Sequence, residues 1–377
     1  MKPKLRFKNF NDNWITCTIK DVADVVGGGT PDTSNPKLWN GSINWFTPSE
    51  IGKSKYISNS ERKITELGVQ KSSAKLLPIG TILLSSRATV GEASILQNNQ
   101  ACTNQGFQSL IAHKNINNEF LYYLKDKYKK NMLNKAFGST FLEISKSNIE
   151  KIKINIPTIE EQTKISNFLS LLDKKIELQS KKIEDLKLFK KGLILRMKKD
   201  NENWKEYKVS ELFKITRGVV IPKTDLSDIS KEDYKYPVYS SQTSNDGILG
   251  FDTKYDFDGE YLTWTTDGAN AGKVFYRNGK FRCTNVCGVL YNDNNYYVDE
   301  LTAELLNYET PKHVSYVGNP KLMNNIMSSI KIYLPDKNES NIVSNILLEI
   351  NNKIVLETKK ADKLVQIKKG LMQSMFV

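Results

Sequence analysis

Gly268-Ala269-Asn270-Ala271-Gly272-Lys273-Val274 is the stretch of this chain most like a nucleotide phosphate loop. Such a loop cradles phosphates with backbone N–H groups, reaches them with a lysine and holds magnesium with the following Ser or Thr. Here the glycines stand one residue too close and Val274 takes the magnesium position, so a strand-turn-strand is expected instead. Ser72-Ser73-Ala74-Lys75 has the spacing of a serine nucleophile with its lysine, but the motifs that accompany that pair in enzymes are missing. It reads as polar surface. His113 and His313 are the only histidines, neither in a metal-spaced cluster, and structural or solvent-facing roles are expected for both. Cys283 and Cys287 could share a metal, but no second pair and no adjacent histidine completes a site. With Cys17 and Cys102 they read as reduced and mostly buried, as in a cytosolic protein. Carboxylates are plentiful, yet spacing fixes no pair of them for hydrolytic work.

The Asn-Pro-Pro-Tyr (or Phe) signature of amino-methyltransferases is also absent, because Asn35-Pro36 and Asn319-Pro320 run into Lys37 and Lys321. Gly27-Gly28-Gly29 leads into Thr30-Pro31, a turn rather than the strand-to-helix crossing of a dinucleotide site. The residues describe a reader without a catalytic centre.

Charge says what could be read. Lys and Arg number 55 against 42 Asp and Glu, a formal net charge of +13. A surface this basic suits a polyanion, most simply nucleic acid, because neutralising phosphates releases counterions. Met1-Lys2-Pro3-Lys4 leads into no apolar run, which argues against a secretory signal. No stretch approaches the roughly 20 apolar residues of a membrane span, so no membrane partner and a cytoplasmic location are expected.

The elements that must position the readers are written twice. Ile152-Lys153-Ile154-Asn155-Ile156-Pro157 returns as Ile330-Lys331-Ile332-Tyr333-Leu334-Pro335, and Lys191-Gly192-Leu193 as Lys369-Gly370-Leu371, both at one offset. Asn13-Trp14 recurs as Asn203-Trp204, so the second copy is shorter and its loops differ. Gly91 followed by Cys102-Thr103-Asn104 recurs without a gap as Gly272 followed by Cys283-Thr284-Asn285. The first part of each copy mixes turn residues with β-type runs (Thr81 to Ser85, Glu260 to Trp264, Lys273 to Tyr276) and helix starts at Phe120 and Leu301. These are α+β domains.

The second part of each copy is a long helix. Ile165, Leu169, Leu172, Ile176, Ile183, Leu186, Leu193 and Met197 alternate spacings of four and three, a heptad seam broken by Gln179 and Lys190. The other copy repeats it with Val343, Leu347, Ile350, Ile354, Ala361, Leu364, Leu371 and Met375, broken by Glu357 and Lys368. Such a stripe needs a partner, and the nearest is the other helix. The stripe alone permits either direction, whereas a pseudo-twofold axis across the pair makes it antiparallel. Each helix is ~35 residues, or roughly 50 Å, long enough to hold two readers on half-sites separated by about one turn of DNA. The division expected is 1–157 and 201–335 as globular domains, with 158–200 and 336–377 as spacer helices.

With these features in order, the chain resembles the specificity subunit of a type I restriction–modification system over nearly its whole length. The resemblance rests on Gly28-Gly29-Thr30-Pro31, Ile43-Asn44-Trp45-Phe46-Thr47, Leu84-Ser85-Ser86-Arg87 leading to Val90-Gly91, and Thr103-Asn104-Gln105-Gly106-Phe107. It rests most on Ile154-Asn155-Ile156-Pro157 followed by Glu160-Glu161-Gln162, Ile165, Leu169 and Asp173. The second half departs from it: Asn338-Glu339-Ser340 follows Pro335, and Arg217-Gly218-Val219-Val220 replaces the Gly-Gly-Thr-Pro turn.

The resemblance implies two target-recognition domains, each reading half of a split site in double-stranded DNA, with the paired helices as spacer. It implies two modification subunits that methylate adenine N6 with S-adenosylmethionine, and restriction subunits that cut DNA using ATP and Mg. No catalytic residue and no cofactor is then expected in this chain. Arg favours guanine edges and Asn or Gln adenine edges, while Lys, Ser and Thr suit phosphates. The expected DNA contacts are Thr30, Arg87, Thr89, Asn104, Gln105, Ser139 and Thr140 in the first domain. In the second they are Thr265, Thr266, Asn270, Asn285, Asn319 and Lys321. Glu160, Glu161 and Gln162 could cap the helix start or meet a modification subunit. Lys174, Lys175, Lys181, Lys182, Lys190 and Lys191 could be a solvated coil face or follow unread DNA. The alternative is a coiled-coil scaffold that joins proteins without reading DNA.

Overall fold

Each copy of the repeat closes on itself through a two-stranded antiparallel ribbon. Ile15–Thr18 pairs with Lys153–Ile156, Ile15 opposite Ile156. Lys205–Lys208 pairs with Lys331–Leu334, Lys205 opposite Leu334. The entering strand and the strand that leads into each long helix therefore meet in one register in both copies. The computed structural model describes residues 1–97, 100–137, 142–199 and 203–377. It divides into two units, Met1–Leu178 with Ala361–Val377, and Gln179–Lys360.

In the first unit a five-stranded sheet runs in the order Ala23–Gly27, Gln108–Ala112, Ile82–Leu84, Ala93–Leu96, Tyr56–Ile57. A three-stranded sheet has Trp39–Phe46 between Arg62–Ile64 and Ala101–Thr103. The second unit has one six-stranded sheet, in the order Lys214–Arg217, Cys287–Tyr291, Phe257–Thr265, Val274–Cys283, Tyr236–Tyr239, Ile248–Asp252. The phosphate-loop look-alike is thus the turn between two antiparallel strands, Phe257–Thr265 and Val274–Cys283, as expected.

The long helices are Ile159–Lys199 and Lys337–Met375, 41 and 39 residues. The Asp336 carboxylate caps the second, accepting from the N–H groups of Asn338 at 2.9 Å and Glu339 at 3.0 Å. Glu160 and Glu161 lie in the first turn of the first helix, where the dipole favours carboxylates. All the seam positions are buried or half-buried, including the polar breaks. Ion pairs satisfy those breaks. Glu357 accepts from the Gln179 amide and pairs with Lys182 at 3.0 Å. Lys190 reaches Glu304 at 2.6 Å and the Asn351 side-chain oxygen at 2.7 Å.

The pairing is antiparallel. In the first unit Ile165 and Leu169, near the start of one helix, share a core with Met375 and Phe376 at the end of the other. Trp14 and Phe120 complete that core, their rings 6.4 and 5.5 Å from the Phe376 ring. In the second unit Ile194, near the end of the first helix, shares a core with Val343 and Leu347 at the start of the second. These clusters bury most of their large apolar side chains, each worth about 1.5–3 kcal/mol, and so fix the helices to the sheets.

Candidate nucleic-acid interface

A Ser or Thr at the end of one core strand in each unit starts a loop built on the same hydrogen bonds. Ser85 Oγ donates to the Thr89 carbonyl and accepts the Glu92 N–H at 3.1 Å. Thr265 Oγ1 donates to the Asn270 carbonyl and accepts the Lys273 N–H at 3.1 Å. Each loop closes on a glycine: Gly91 N–H donates to the Ser85 carbonyl at 2.9 Å, and Gly272 N–H to the Thr265 carbonyl at 2.8 Å. Both glycines have positive φ, +85° and +87°, which is why this residue recurs.

The neighbouring segments repeat as well. Ser86 N–H donates to Gly106 O at 2.8 Å and Thr266 N–H to Val286 O at 3.1 Å. Ile144 N–H donates to Ser86 O and Leu322 N–H to Thr266 O. Phe137 and Glu143 exchange both backbone hydrogen bonds, as Ser315 and Lys321 do. A third loop packs against this frame through one glycine. A Cβ on Gly28 would lie 2.1 Å from Asn104 O, and one on Gly218 2.0 Å from Cys283 O. This glycine survives in the second copy, although the turn around it changed.

The hydrogen bonds correct the letter-by-letter repeat. Gly29 N–H donates to Thr103 O, and its counterpart Val219 N–H donates to Cys283 O. Asn104 N–H donates to Phe46 O, and Thr284 N–H to Tyr239 O. Thr103 therefore matches Cys283 and Asn104 matches Thr284, one residue off the gapless match expected. The loop from Thr265 to Gly272 holds one more residue than that from Ser85 to Gly91, and the following strand absorbs it. Gln105 and Asn285 share the exposed tip position of this turn.

The expected contact residues that the structure describes separate into three groups. Arg87, Thr89, Gln105, Asn270, Asn285, Asn319 and Lys321 are exposed at these loops. Thr30 and Asn104 are half-buried and engaged locally: Thr30 Oγ1 donates to Gln105 Oε1 at 2.5 Å, and Asn104 Oδ1 accepts the Gly106 N–H at 2.8 Å. Thr265 and Thr266 are buried, at 1% and 0% exposure, with hydroxyls spent on the loop frame and on Asp267. They shape the loop and are not presented to a ligand. Ser139 and Thr140 lie outside the described residues. Sequence reading passed over Tyr316 and Val317, which are 69% and 93% exposed at the turn between Ser315 and Lys321; the run Gly318-Asn319-Pro320 was the available signal. It also passed over Glu143 and Asp267, which face Arg87 and Lys321.

Two of the three expected partner-facing residues point inward. Glu161 is 1% exposed and takes both arms of a fork from Arg6, each at 2.7 Å. Gln162, equally buried, accepts the Asn117 N–H and donates to Pro157 O. They pin the helix start to its domain, and only Glu160 is exposed. Lys190 likewise belongs to the seam and not to a solvated face, at 15% side-chain exposure.

Among the described residues no His, Cys, Asp and Glu group could hold a metal, and no helix is long and apolar enough to cross a membrane. Cys283 and Cys287 are buried with sulfurs 3.5 Å apart, and burial raises the Cys283 thiol pKa.

The family model for the type I restriction modification DNA specificity domain matches residues 11–188 and again 201–366. The chain belongs to that specificity-subunit family. Specificity subunits are the non-catalytic, DNA-recognition component of type I systems. The type I restriction enzyme MjaIX specificity subunit of Methanocaldococcus jannaschii is 39% identical over 194 residues, 48% of this chain and 44% of that protein. The alignment thus spans less than half of that relative. A putative type I specificity subunit of Mycoplasma pneumoniae is 34% identical over 208 residues, 53% of this chain and 81% of its own length. The S subunit from M. genitalium shares the fold with a TM-score of 0.71 at 18% identity, over 100% of this chain and 99% of that one. In this specificity subunit, the two family matches coincide with the two copies of the loop frame.

Proposed function

We propose that this specificity subunit reads a bipartite site in double-stranded DNA, one half with each copy of the loop frame. Residues 1–157 and 201–335 act as the target-recognition domains, and 158–200 and 336–377 as the helices that set the spacing. The repeated frame carries the reading: one chain presents the same exposed loop positions twice, on a strongly basic background. Arg87, Thr89 and Gln105 serve the first half, and Asn270, Asn285, Asn319 and Lys321 the second. Thr30, Asn104, Thr265 and Thr266 hold the loops in shape.

The long helices also dock two modification subunits, which methylate adenine N6 with S-adenosylmethionine. Restriction subunits that use ATP and Mg join them. Docking through Glu160 to Gln162 leaves only Glu160 available. Apolar side chains off the seam offer more: Leu171 and Leu178 are 69% and 58% exposed, and Ile342 and Leu356 are 63% and 52% exposed. Isolated exposed apolar residues are ordinary, but several along one helix suit a protein partner.

Co-expression with the modification subunit in a host lacking the mark, followed by genome-wide mapping of methyladenine, tests this. A single split motif methylated on each strand is expected. A stable complex that leaves no split motif would sink the bipartite reading, and failure to bind DNA would favour the scaffold.

A further inference from the structure

Arg87 and Asp267 stand at one position of the loop frame, and Glu143 and Lys321 at the position facing it. Ser86 and Thr266 make the same two backbone hydrogen bonds just before them, and Ile144 and Leu322, just after, donate one of those bonds from their N–H groups. Arg87 forms an isolated bridge with Glu143, as Asp267 does with Lys321. Each unit thus places one cation beside one carboxylate at this point, in opposite order.

Neither pair is tight. Arg87 Nε lies 3.6 Å from Glu143 Oε2, with the side chains 48% and 43% exposed. Lys321 Nζ lies 4.0 Å from Asp267 Oδ1, at 51% and 23%. Solvent-accessible pairs of this kind contribute little to stability, so they are easily opened. Thr266 donates to the other Asp267 oxygen at 2.6 Å, which aims Oδ1 at Lys321.

A carboxylate here is costly for a protein that only grips phosphates, because phosphate oxygens repel it. It has a use where one ligand offers acceptors and a donor side by side. A G·C pair does so in the major groove: guanine presents O6 and N7 to Arg or Lys, and cytosine presents its N4 amino group to Glu or Asp. We propose that the pairs Arg87–Glu143 and Asp267–Lys321 each read a G·C base pair, the cation on guanine and the carboxylate on cytosine. Glu143 and Asp267 are then specificity-determining residues that also lower affinity for unrelated DNA. This rests on the DNA-reading function proposed above.

The test compares the full chain with Glu143→Gln and Asp267→Asn, each co-expressed with the modification subunit. Methylated motifs are mapped, and binding of the purified complexes to a mixed-sequence duplex is measured. Each half of the wild-type motif should hold a fixed G·C pair. Glu143→Gln should make that pair degenerate in one half only, and Asp267→Asn in the other, with binding to the mixed-sequence duplex several-fold tighter. The half left intact reports that each variant is folded. A motif unchanged in both variants, or a half without a fixed G·C pair, overturns the inference and leaves the DNA-reading function standing. A wild-type complex that neither methylates a split motif nor binds the duplex removes both.

Discussion

Gln179 donates its side-chain amide to the carboxylate of Glu357, the residue at its own place in the other copy of the repeat. Antiparallel helices that carry one repeated pattern must somewhere bring a position opposite its copy, and here that position is polar in both. A polar residue in an apolar seam fixes register, since sliding either helix would bury it unpaired.

The Gln179 hydrogen bond first, then Lys182 and Lys360, hold the Glu357 carboxyl down at about 2, against an ordinary 4.5. A depressed carboxyl contributes stability that is present above about pH 4.5 and lost as pH falls toward 2. Glu357→Gln should flatten that acid limb in urea midpoints taken across the interval. Parallel losses in variant and wild type would show that the pairing does not persist in solution.

Glu300 behaves oppositely. Burial first, against the opposing attraction of Lys190, pushes its carboxyl up to about 7. The folded form then takes up a proton, so this contribution is complete below about pH 4.5 and falls away as pH rises to 7. Glu300→Gln should exceed wild type at pH 8 by on the order of 1 kcal/mol, with the gap closing at pH 5. Thermal melts at the two pH values check the sign.

Glycines should divide by environment. Nothing lies within 4 Å of a Cβ built on Gly192 or Gly370, in the two long helices. Gly192→Ala and Gly370→Ala should each stabilise by about 0.5–1 kcal/mol through helix propensity. Gly218→Ala should cost about 1–3 kcal/mol, because its Cβ would meet the backbone oxygens of Cys283 and Thr284. Denaturant titration of the three variants separates the two classes.

Replacing residues 14–157 with the matching domain of a different specificity should change one half of the methylated motif and spare the other. A change in both halves would refute modular reading. Arg87→Ala should cost about 1–3 kcal/mol, concentrated at one base pair, whereas an even loss across sequences would mark a phosphate contact.

One heptad inserted in phase into both long helices should lengthen the unread gap of the motif. An unchanged gap would mean that the helices are not the ruler.

The sequence determined the helices, their seam and its polar breaks, because a heptad is a one-dimensional signal that survives without knowing what lies opposite. It determined the repeat, the basic charge and the strand-turn-strand at Gly268 to Val274 for the same reason. Tertiary structure decided what depends on residues far apart in the chain. Glu161 turned inward because Arg6 forks onto it, and Gln162 because it accepts the Asn117 N–H. Thr265 and Thr266 look like surface hydroxyls in sequence, yet they are buried where a loop folds back on its own strand. The true match of Thr103 to Cys283 came from hydrogen bonds between separate segments, which no comparison of letters contains. Only the same frame could set Arg87 beside Glu143 and Lys321 beside Asp267, since side-chain neighbours across a loop frame are fixed by backbone register rather than by spacing along the chain.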